Sequence, residues 1–76
     1  MTARDRRLVA AAARAIAGLG PDEVAGAIDR AAQAYREVLA SRRARLSSAE
    51  ITLRTALFAE AVGERIKALA EVPPCR

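Results

Sequence analysis

Leu46-Ser47-Ser48-Ala49-Glu50 is the stretch on which the fold turns, because it reads as the start of one helix and therefore as the end of whatever precedes it. Ser47 as N-cap with Glu50 three residues later matches a capping box, in which the hydroxyl accepts from a free backbone N–H and the carboxylate returns to the N–H of the cap. Leu46, just before the cap, is placed to pack on Ile51 and fix the entry angle. Downstream the pattern predicts a helix over 48–70, closed by Val72-Pro73-Pro74. Its stripe of Ile51, Thr55, Phe58, Val62, Ile66 and Leu69 has helical spacing. Leu53, Leu57 and Ala61 make a second stripe, with Arg54 and Arg65 at nearly one angle between the two. That is more apolar surface than two neighbouring helices need, so two readings stay open: the second stripe widens the core face, or it faces a partner.

Upstream of Leu46 a helix is expected from Pro21 to about residue 44. Val24, Ile28, Ala31, Tyr35 and Val38 form a seam at spacings of four and three, broadened by Leu39. Asp22 and Glu23 put negative charge in its first turn, and Arg42, Arg43 and Arg45 put positive charge at its carbonyl end. Gly26 is a cost inside this helix, roughly 1 kcal/mol relative to Ala; close approach of a neighbouring helix would explain it. Before it, Gly18-Leu19-Gly20-Pro21 ends a first helix over about 3–18, on the expectation that glycine takes a left-handed conformation there and that Pro21 opens the next helix. Leu8, Ala12, Ile16 and Leu19 are the apolar positions expected to face inward from that first helix. Connections this short favour antiparallel neighbours. The fold class is therefore all-α: one domain over 1–76, an up-down-up three-helix bundle or a long αα-hairpin with a packed N-terminal helix.

The composition limits both core and chemistry. Of 76 residues only 16 are Val, Leu or Ile, with one Phe and one Tyr, while 20 are Ala, which bury little area. So thin a core favours a second copy or a larger partner. With no His and one Cys, the chain has no group naturally poised as a base near neutral pH and no thiolate cage for zinc. The expectation is no enzyme, no cofactor, no metal and no small-molecule substrate.

Individual residues support that expectation. Glu60 and Glu64 are four apart, but Lys67 offers Glu64 a partner, so they read as solvated helix surface. Ser47 is explained by capping, Tyr35 by its place on the seam, and Cys75 by a terminal position. No phosphate-binding loop passes through Gly18, Gly20, Gly26 and Gly63. No window approaches ~18 strongly apolar residues, so a membrane span is not expected. A basic start followed by alanines imitates a targeting signal, but Arg14 interrupts it, and a cytoplasmic location is the default expectation.

The formal charge of +4 is concentrated toward the amino end, where Arg4, Arg6, Arg7 and Arg14 face only Asp5, and around 41–45. Arg4, Arg6, Arg7, Arg14, Arg42, Arg43 and Arg45 are thus candidate contacts for an anionic partner. Nucleic-acid binding is the alternative they offer, with Arg30 and Arg36 in support. The second helix is too long for a usual recognition helix, however, and mixes Asp29 and Glu37 among its basic residues. The favoured reading is a small protein-interaction module, adaptor, antagonist or regulatory subunit, of the size of a bacterial or phage-encoded modulator. Its candidate interface is Leu53, Arg54, Leu57, Ala61 and Arg65. A homodimer with Leu53 and Leu57 near the contact, a larger protein partner, or both, are the expected assemblies.

Overall fold

The computed structural model describes residues 2–41 and 46–71, with Glu71 described for its backbone alone. It is an all-α three-helix bundle of α1 (Ala3–Ile16), α2 (Pro21–Ser41) and α3 (Ser48–Glu71), with no strand among the described residues. Arg42, Arg43 and Arg45, the expected end of α2 near residue 44, the Val72-Pro73-Pro74 stop and Cys75 lie outside the described residues.

Each helix begins where local chemistry satisfies its free N–H groups. Thr2 caps α1 in a full capping box: Asp5 N–H donates to Thr2 Oγ1 at 3.1 Å and Thr2 N–H donates to Asp5 Oδ2 at 3.4 Å. Pro21 opens α2, and Glu23 N–H donates back to the Gly20 carbonyl at 2.9 Å. At α3, Glu50 N–H donates to Ser47 Oγ at 3.1 Å, which is the hydroxyl half of the expected box. The Glu50 carboxylate turns instead along the helix to Arg54 Nε, 3.1 Å away. Leu46 and Ile51 are both partly buried against the core.

The turn between α1 and α2 is built differently from the expectation. No described glycine has a positive φ, so Gly18 and Gly20 do not act as left-handed caps. Ala17 stays right-handed and donates to Ala13 O at 2.8 Å; Leu19 N–H then donates to Ile16 O at 2.9 Å. A tightened last turn with three-residue closure ends α1 at Ile16, two residues early.

Packing is centred on α3, which lies along both other helices, whereas α1 and α2 meet over a much shorter stretch. Thr2 and Asp5 border Leu53 and Leu57, while Arg6 and Val9 border Ala61 and Ala68, so α1 runs in the same direction as α3. The core is Val9, Ala13 and Ile16 from α1, Ala27, Ala32, Tyr35 and Leu39 from α2, and Phe58 and Val62 from α3. The Tyr35 and Phe58 rings stack face to face, centroids 4.3 Å apart and 6° from parallel. Aromatic pairs contribute about 0.5–1.5 kcal/mol beyond the area they bury.

Two expected stripes are rotated. On α1 the buried side is Val9, Ala13 and Ile16, and Leu8 and Leu19 are exposed; on α2 Leu39 is buried and Val38 is exposed. Leu69, expected on the core side of α3, is exposed as well. Both shifts have one cause. α1 and α2 turn their inner faces toward α3 rather than toward each other, which moves the buried line about one residue around each helix.

A candidate protein-interaction surface

Because α1 and α2 meet over so short a stretch, an apolar groove of about 390 Å³ stays open between them. Leu8, Ala11 and Ala12 form its α1 wall, and Ala31, Ala34 and Val38 its α2 wall. Its floor is the stacked pair Tyr35 and Phe58. No charged side chain lines it. The alanines make it: a methyl group does not reach across a gap that Leu or Ile would fill.

A second hollow, about 240 Å³, lies where α1 starts against α3 and is lined by Thr2, Asp5, Tyr35, Glu50, Leu53, Arg54 and Leu57. Tyr35 borders both spaces. Leu53 is 58% exposed and Leu57 47% exposed, so these leucines are surface residues and do not widen the core. Arg54 pairs with Glu50 within α3, both about half exposed. An exposed pair of this kind contributes about 0.3–0.5 kcal/mol and is weakened by salt.

The five candidate interface residues are therefore not one continuous strip. Leu53, Arg54 and Leu57 gather at the start of α1, whereas Ala61 and Arg65 border a separate hollow with Arg6, Val9, Glu64 and Ala68. Ala61 itself packs against the core. The basic candidates divide too. Arg6 sits beside α3, while Arg4, Arg7 and Arg14 recur at helical spacing on the side of α1 turned away from it. All four are exposed, and none is in an ion pair with another described residue.

Nothing else gathers chemistry. Among the described residues no group of three or more Asp, Glu or Cys stands close enough to hold a metal ion. Glu60, Glu64 and Lys67 are exposed on α3, and no ion pair joins them. Gly26 is half-buried without a close neighbour: a Cβ there would meet only the Arg30 guanidinium, at 3.5 Å. No described helix is long and apolar enough to cross a membrane.

Sequence reasoning missed Leu8 and Val38 as surface residues, having placed both on inward stripes. The signal that could have found them is the alanine run 10–13 facing Ala31 and Ala34, since two alanine-lined helices cannot close a gap around a large side chain. Comparison with known protein families, with curated proteins and with solved structures finds no match for this chain.

Proposed function

We propose that the chain is a non-catalytic helical protein-interaction module, an adaptor, antagonist or regulatory subunit, that lays one side of α3 into an apolar groove of a larger protein. The exposure of Leu53 and Leu57 carries this reading. They stand four residues apart on one helix face, the spacing with which an amphipathic helix anchors itself in a partner's groove. The Glu50–Arg54 pair beside them supplies a mixed-sign rim that favours a groove edged by both charges over a uniformly acidic or basic one.

The test is capture of partner from nuclease-treated lysate on immobilised protein, comparing the natural chain with a Leu53→Gln/Leu57→Gln variant whose helicity is checked first. The expected result is a defined protein retained by the natural chain, lost with the variant, and still retained after Arg6→Glu/Arg7→Glu. Equal retention by both would remove the leucines from the reading.

A second reading rests on the exposed, unpaired Arg4, Arg7 and Arg14 along the outer side of α1, which suits a DNA or RNA backbone. It predicts submicromolar binding to nucleic acid at physiological salt, falling steeply as salt rises and abolished by reversing those arginines. Membership of a cytoplasmic regulatory complex fits either reading.

A further inference from the structure

We propose that the outer face of α1 receives the outer face of α3 from a second copy of this chain, the two helices packing antiparallel. On α1 this face holds Arg4, Arg7, Ala11 and Ala15, all exposed and within about 80° of arc at about 3.6 residues per turn. On α3 it holds Leu53, Leu57, Glu60 and Glu64, all exposed and within about 60° of arc. The two faces complement each other end to end. α1 carries cations first and small residues second; α3 carries large apolar residues first and anions second. Neither these arginines nor these glutamates are held in an ion pair within the described chain.

The spacing sets the direction. With Leu57 over Ala11 and the helices antiparallel, Leu53 lies over Ala15, each about 6 Å along at about 1.5 Å per residue. Toward the other end Glu64 comes opposite Arg4, each about 10.5 Å from the same point, and Glu60 falls within about 1.5 Å of Arg7. Leucine thus rests on alanine, whose methyl group lets helices approach closely, and each carboxylate meets a guanidinium. A parallel arrangement through the same point pairs Glu60 with Arg14 but sets Leu53 on Arg7 and Glu64 beside Gly18. Arg14, at the edge of the antiparallel contact, lays its aliphatic stem beside Leu53 and keeps its head in water.

Charge complementarity makes a second copy the occupant, since every copy carries both faces. The formal charge of +4 opposes association in general, but at physiological salt it is screened beyond about 8 Å, whereas the paired groups meet at contact. The inference rests on the reading of Leu53 and Leu57 as a docking face and adds a surface of this same chain that fits them.

Sedimentation equilibrium of the nuclease-treated full chain carrying Cys75→Ser, from about 1 to about 500 µM protomer, tests it, because self-association follows protomer concentration. The weight-average mass is expected to rise above 8.1 kDa within that range. Glu60→Arg/Glu64→Arg and Arg4→Glu/Arg7→Glu, all at exposed positions, should each weaken association about 10-fold or more while circular dichroism stays unchanged. The arginine reversal takes the formal charge from +4 to zero, so relief of general repulsion would strengthen association; a loss identifies the specific contact. An equimolar mixture of the two variants should associate again, since one is then basic on both faces and the other acidic on both. A monomer throughout the range overturns the inference and leaves the capture of a larger protein by Leu53 and Leu57 to stand or fall by its own test. Association that survives both reversals, or a mixture that stays monomeric, overturns it as well.

Discussion

Phe58→Ala is the perturbation that most directly tests how the bundle is held. The ring is 4% exposed, and its loss removes nearly a whole aromatic side chain from the core. Returning that area to water costs about 2–3 kcal/mol. Loss of the stack on Tyr35, whose centroid is 4.3 Å away, adds about 0.5–1.5 kcal/mol. Phe58 also floors the α1–α2 groove, so the space it leaves opens toward that groove and water can enter. The sealed-cavity contribution is therefore small, and the total falls at about 3–4 kcal/mol, in the lower part of the usual range for Phe→Ala. For 76 residues the whole stability is about 4–11 kcal/mol. The variant should thus lose a large share of it. Urea unfolding followed by far-UV circular dichroism, at fixed protomer concentration, gives the difference. Leu57→Ala, at a 47% exposed position, is the control and should change stability by under about 1 kcal/mol. A loss under about 1 kcal/mol for Phe58→Ala, or equal losses for both, would show that α3 does not pack through this ring.

Three further outcomes follow from local structure. Ser47→Ala and Thr2→Ala each remove a hydroxyl that accepts from the first turn of a helix, and each should cost about 0.5–2 kcal/mol by urea unfolding. Gly26→Ala and Gly63→Ala place a methyl group where 3.5 Å is the closest approach or nothing lies within 4 Å, so both should raise stability by about 0.4–1 kcal/mol. A loss at Gly26 would mean that the space beside it is filled in solution. Thr55 Oγ1 is buried without a hydrogen-bond partner, so Thr55→Val, which keeps the shape and removes the desolvated hydroxyl, should raise the thermal midpoint.

How much of this was legible depends on which signal each residue carries. Both helix boundaries could be read because Ser47, Gly20 and Pro21 act on their own backbone, and such chemistry needs no tertiary information. The Thr2–Asp5 capping box has the same character and was equally visible, yet Asp5 was read only as a counter-charge among arginines. Glycine's role was misassigned for a related reason: a left-handed cap is one way to end a helix, and the tightened turn through Ala17 and Leu19 is another that composition does not distinguish.

The rotation of the stripes was not local. With alanine at 10–13 and again at 31, 32 and 34, the apolar side of α1 and α2 has no sharp edge, and periodicity alone cannot choose between Leu8 and Val9 or between Val38 and Leu39. The position of α3 makes the choice. Once α3 takes the Tyr35–Phe58 stack, Val62 and the smaller residues around them, α1 and α2 must turn their narrow inner faces toward it, and their larger outer residues are left along the gap. The scarcity of large side chains that composition shows thus has a specific place in the fold: the α1–α2 groove stays open because the alanines between Leu8 and Val38 do not reach across it.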